Sequence, residues 1–155
     1  MWAAQSLTSP RTPDDKKKEV CELLLELSGD SDDEVAMRAS ELTIVALCES
    51  QWLDLLGVLE QRAKSGQITN PPRFVGTFYT LYEVNSAGDT IKKRVIEVAR
   101  TTVENNVNSG YTRAHSLRFI GKHDPDAKAF AVVFASDTDS SVKHEAEAIV
   151  GGGGK

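Results

Sequence analysis

Cysteine, histidine and glycine-framed motifs are scarce in this chain, and each scarcity removes a class of function. Cys21, Cys48, His115, His123 and His144 are the only soft-metal ligands. None stands at ligand spacing from another, so a zinc site is not expected and the histidines read as structural or surface residues. Both cysteines sit inside apolar helical patterns, where a free thiol behaves as a small hydrophobe, so a reducing compartment is expected. The N-terminus has no basic patch followed by an apolar core, and no apolar run approaches the roughly 20 residues of a membrane-spanning helix. The expected location is intracellular, cytoplasmic or nuclear, with no membrane span.

Catalytic signatures are missing too. Asp137-Thr-Asp139-Ser-Ser141 begins like a calcium loop, but Val142 stands where the sharp-turn glycine belongs and Ala148 where the bidentate glutamate belongs. Gly151 to Lys155 has the glycines and lysine of a phosphate loop without the following Ser or Thr and helix. No elbow motif frames any serine beside a base. Neither an enzyme activity nor a cofactor is expected.

What is present is a soluble-type composition, 26% charged and 40% hydrophobic over 155 residues, enough for one domain with one core. Charge is uneven: seven cations stand against 13 anions over residues 1–70, nine against six over 71–136, and two against four over 137–155. All Phe and Tyr lie between Phe74 and Phe134. The Asn70-Pro71-Pro72 step therefore reads as a boundary between an acidic helical half, 12–66, and a mildly basic β half, 71–136. A terminal helix is expected over 141–150, with flexible tails at 1–11 and 151–155.

Thr12-Pro13-Asp14-Asp15 is a helix start, and Val20, Leu23, Leu24 and Leu27 recur at helical spacing up to Gly29. Ser31-Asp-Asp-Glu34 fits a capping box for a second helix, and Ser50 to Ser65-Gly66 frames a third. Phe74 to Val84 and Thr90 to Val98 are rich in β-branched and aromatic residues around an Asn85-Ser-Ala-Gly-Asp89 cluster, which reads as a hairpin. Tyr111 to Ile120 alternates and Ala129 to Ala135 is continuously apolar, which reads as a second hairpin. The expected fold is α+β: N-terminal helices packed on a four-stranded antiparallel sheet, with a short C-terminal helix.

The function expected from this pattern is non-enzymatic: an interaction or self-assembly protein, an adaptor or a viral matrix-like structural component, whose partner is another protein or a second copy. Trp52, Leu53 and Leu56 lie on the most apolar helix and are the candidate interface. The alternative is binding of RNA or single-stranded DNA, with Tyr79 and Tyr82 stacking on bases and Lys92, Lys93 and Arg94 meeting phosphates from a sheet face. Ser31 is both a helix cap and a candidate phosphorylation site.

Overall fold

The structure, a computed structural model, describes residues 13–152. It is all helical, and the sheet expected from the sequence does not form: among the described residues there is no strand. Eight α-helices follow one another: α1 Asp14–Ser28, α2 Asp33–Val45, α3 Trp52–Ser65, α4 Pro71–Glu83, α5 Asp89–Glu104, α6 Gly110–His123, α7 Ala127–Ala131 and α8 Ser140–Val150. Single 3-10 turns, Glu49–Gln51 and Val132–Phe134, precede α3 and follow α7.

Each supposed strand is a helix for a local reason. In α4, Pro71 and Pro72 occupy the first helical positions, where a missing N–H is harmless, and Asn70 Oδ1 accepts from Arg73 N at 3.2 Å. Phe74, Phe78 and Leu81 then recur at i, i+4 and i+7 and are fully buried. Val95, Val98 and Thr102, at i, i+3 and i+7, are the fully buried stripe of α5. Ser109 caps α6 by accepting from Thr112 N at 3.2 Å, and Leu117 and Ile120 form its inner face. The apolar run from Ala129 is split between the end of α7 and the following 3-10 turn. The cap of α2 also moves: Asp32, not Ser31, accepts from Glu34 N and Val35 N, leaving Ser31 exposed.

The helices form two rows. Along one, α1 touches α3 and α3 packs on α5; along the other, α2 touches α4, α4 packs on α6 and α6 on α8. Helix i meeting helix i+2 is the packing logic of stacked helix pairs, in which each unit is held by its neighbours. One core runs through the stack from Ala36 and Met37 of α2, by way of Trp52, Phe74, Phe78 and Phe119, to Val142 and Ala146 of α8.

Two buried ion pairs brace it. Asp33 at the start of α2 takes Arg62 of α3 at 2.9 Å on one oxygen and Thr69 N (2.8 Å), Thr69 Oγ1 (2.5 Å) and Asn70 N (3.2 Å) on the other. Arg62 also donates to the carbonyls of Asp30 and Gln67, so one pair ties the α1–α2 turn to the α3–α4 loop. Farther along, Arg113 of α6 holds Asp137 at 2.6 Å and Val103 O at 2.7 Å. That hydrogen bonding keeps the Asp137 carboxyl below its ordinary range. Asp139 then caps α8, and its Oδ2 lies so close to Gly110 that a Cβ there would sit 1.8 Å away.

The cysteines are not the separate thiols expected. Cys21 of α1 and Cys48, beyond α2, are joined in a disulfide that spans 27 positions of sequence. With Leu24 they form a small cluster apart from the main core, lined by Val20, Leu42 and Ala46. The expected N-terminal tail lies outside the described residues; at the other end, Gly151 caps α8 and Gly152 turns with φ 78°.

Candidate functional site

The interface expected on α3 is not available as drawn. Trp52 is 1% exposed, its indole N–H donating to Thr43 O at 3.3 Å, and Leu56 is fully buried; only Leu53, 51% exposed, faces solvent. The physical reason is that α3 lies between α1 and α5, so its broad apolar surface is consumed by the stack itself.

The second set of predicted residues divides. Tyr79 and Tyr82 stand on a helix rather than a sheet face, half-buried, with Tyr79 edge-on to Phe119 at 5.0 Å and Tyr82 at 5.7 Å. His123 completes the cluster, 4.3 Å from the Tyr82 ring and 4.8 Å from Phe119. Its Nε2 is buried and finds no partner among the described residues. Burial, then the neighbouring Lys122 charge, lower the His123 pKa, and burial raises that of Tyr79. Lys92 rests over the Tyr82 ring at 5.5 Å and Lys122 over Tyr79 at 5.6 Å. Lys93 is exposed on α5. Arg94 is withdrawn from the set, bound by Glu60 of α3 and by Glu97. Three consecutive cations cannot share one side of a helix, because each step turns the next side chain by about 100°.

The row formed by α2, α4, α6 and α8 presents one continuous face. Its seams are closed by ion pairs: Arg73 to Glu34 (2.6 Å) and Glu41 (3.1 Å), Lys122 to Glu83 (3.6 Å), and Arg118 to Glu145 (2.7 Å). Tyr111 stacks on His115 at 4.1 Å one turn before Arg118, and burial followed by the Arg118 charge lowers the His115 pKa. Two grooves interrupt the face. The first, between α2 and α4, holds about 570 Å³ over a floor of Gly76, Thr77 and Thr80. A Cβ on Gly76 would touch nothing within 4 Å. The second, between α6, α7 and α8, holds about 750 Å³ over Ala127 and Ala148, rimmed by Arg118, Lys122 and Lys128 with Asp124 and Glu145.

Arg118, Lys122 and His123 flank the two tyrosines on a helix where the sequence reading expects a hairpin, and Phe119, the ring they surround, is fully buried. The signal was there: Tyr111, His115, Arg118 and Lys122 recur at i, i+4, i+7 and i+11, the stripe of a helix rather than the alternation of a strand. No three His, Cys, Asp or Glu side chains converge on a metal-sized site among the described residues. Comparison of the chain with protein-family models, curated proteins and solved structures finds no match. The fold and this face define the class: a two-row helical stack with a grooved, charge-paired side.

Proposed function

We propose that this chain is a non-enzymatic interaction protein that contacts another protein, a second copy of itself included, through the face of α2, α4, α6 and α8. The carrying observation is the pair of grooves on that face, each floored by small residues between helices whose seams are fixed by ion pairs. Small side chains leave room for a partner's side chains, and a rigid surround keeps the ordering loss on binding low. We propose a place inside the cell, in cytoplasm or nucleus, although the disulfide removes the free thiols from which a reducing compartment was expected; no described helix is long and apolar enough to cross a membrane.

Light scattering of the eluted protein tests this reading, with a variant in which Gly76→Trp and Ala148→Trp fill both grooves. The expected result is a species heavier than the 16.9 kDa chain that the filled variant reduces to monomer. An assembly that ignores the filled grooves removes this face from the proposal.

Single-stranded nucleic acid is the second reading, favoured by one observation: Lys92 and Lys122 cap the rings of Tyr82 and Tyr79 on a surface reached from solvent. Lys92→Glu with Lys122→Glu is expected to abolish retention of a labelled oligouridine at low salt. Retention unchanged by both reversals would sink it.

A further inference from the structure

We propose that Cys21–Cys48 is a reversible thiol–disulfide switch that sets whether α1 is docked on the helical stack. Three features of the N-terminal end point to it, and none depends on the proposed interaction face.

The first is where α1 is held: it packs along α2 and touches α3, but its buried side chains stay outside the main core. Its buried residues are Cys21, Leu24 and Ser28, and none of them belongs to the main core. Leu25 alone reaches that core, from a half-buried position. The disulfide is the covalent link from α1 to the chain beyond α2, beside the contact of α1 with α3, and it closes a loop across 27 positions. Opening it returns that loop's freedom to α1 without disturbing Trp52, Phe74 or Phe78.

The second is a backbone held against its preference. Helix α2 ends with Leu47 N donating to Ile44 O at 3.0 Å and Cys48 N to Thr43 O at 3.1 Å, the two bonds of a Schellman turn. The left-handed position of that turn belongs by preference to glycine, yet Leu47 occupies it with φ 54°. Cys48 follows at once, so the bond anchors a turn that would otherwise relax.

The third is access. A cleft of about 450 Å³ lies over the bond, lined by Lys17 and Lys18 of α1 together with Cys21, Leu47 and Cys48. Cys21 and Cys48 are only 5% and 2% exposed, so this cleft, where Asp14 and Glu49 balance the two lysines, is the route by which a small dithiol meets the sulfurs.

The exchange is balanced by any dithiol. Its thiolate attacks one sulfur of the pair, the S–S bond breaks and a mixed disulfide forms. The reductant's second thiolate then displaces the protein sulfur. Cys21 and Cys48 together gain two electrons and two protons, and the dithiol becomes its cyclic disulfide.

The test is hydrogen exchange by mass spectrometry on the full chain, oxidised and after native-state treatment with dithiothreitol, with alkylation to count free thiols. Reduction is expected to speed exchange in residues 14–28 by roughly 10- to 100-fold while residues 71–123 stay unchanged. Glutathione disulfide restores protection, and Cys21→Ser behaves as the reduced protein in either buffer. Three results would overturn the proposal: a bond that dithiothreitol does not open without denaturant, an α1 equally protected with two free thiols, or a loss of protection spread over the whole chain.

Discussion

The N-terminal pair, α1 and α2, and the central block, α4 to α6, use the same helix-on-helix geometry with different adhesives. The central block is filled with large side chains in mutual contact: Phe74 and Phe78 edge-on at 5.1 Å, Phe78 and Phe119 at 5.8 Å, and Leu81, Leu117 and Ile120 around them, all fully buried. The N-terminal pair buries Met37, Ile44 and Leu24 but no aromatic ring, and beside them small or polar groups, Ala36, Ala39, Ser40 and Thr43, whose two hydroxyls turn back to carbonyls one turn earlier. Where apolar volume is low, a disulfide and a buried ion pair supply the order that packing supplies elsewhere. The same architecture therefore relies mainly on apolar burial at its centre, where Arg113–Asp137 adds one buried ion pair, and more on specific bonds at its N-terminal end.

The comparison breaks most sharply in the centre. Phe78→Ala removes a fully buried ring that contacts two others, and a loss of about 4 kcal/mol is expected from urea unfolding followed by circular dichroism. Leu24→Ala, in the satellite cluster, is expected to cost about 2 kcal/mol, the low end for such truncations, because that cluster has room to collapse. Equal losses would mean that the two regions share one core after all.

Next in size is the ion pair that joins the two regions. Asp33→Ala leaves the Arg62 guanidinium buried without its carboxylate and deprives Thr69 and Asn70 of their acceptor, for an expected loss of about 3 kcal/mol. Replacing both members, Asp33→Leu with Arg62→Met, is expected to recover much of it, since the penalty belongs to the stranded charge. A double variant as unstable as the single would instead assign the loss to the Thr69–Asn70 contacts.

A smaller and oppositely signed effect separates the helix ends of the two regions. Gly66 ends α3 at φ 73°, with Val107 3.2 Å from where a Cβ would stand, so Gly66→Ala is expected to destabilise by about 1 kcal/mol. Leu47 holds the equivalent left-handed turn after α2 without glycine's freedom. Leu47→Gly is expected to stabilise by about 0.5 kcal/mol, the relief of the turn outweighing the added freedom of the unfolded chain. Thermal melts of the two variants should move in opposite directions.

These contrasts also explain what could be read from the sequence. The first three helices carried their punctuation in residues that mean one thing: Gly29, Gly66, an acidic first turn, leucines at helical spacing. The central block did not. Phe74 to Val84 is made of residue types that favour strands, and in so short a run both periods can be fitted; Phe74, Phe78 and Leu81 match a helix as well as Phe74, Phe78 and Tyr82 match a strand. Asn70 before two prolines was the deciding cue, since it is a cap followed by N1 and N2. Among the candidate site residues, Tyr79, Tyr82 and Lys92 do meet, but through helical contacts with Phe119 and His123 that a sheet would not make. The disulfide was illegible because a cysteine on an apolar face looks the same whether its neighbour across the helix is a methyl or a sulfur.

The smallest expected effect concerns pH, and it too distinguishes the regions. His123 is packed among Tyr79, Tyr82 and Phe119, with Lys122 beside it on α6, Lys92 reaching over Tyr82 from α5, and Glu83 of α4 as the one opposing charge nearby. Burial first and Lys122 second hold its folded-state pKa below the ordinary value of 6.5, while Glu83 acts the other way. The unfolded chain therefore takes up the proton more readily than the folded one. Stability is fully present above the unfolded value and is lost as pH falls through 6.5 toward the folded pKa. His115 shifts in the same direction for the same leading cause and adds to the slope. The described part of the N-terminal pair has no histidine, so mild acid is expected to loosen the α4–α6 seam while leaving exchange in α1 and α2 unchanged. His123→Phe keeps the ring and removes the titration. Its unfolding midpoint should depend less on pH between about 7 and 5 than that of the parent chain, and an undiminished dependence would place the acid sensitivity on His115 or on carboxylates instead.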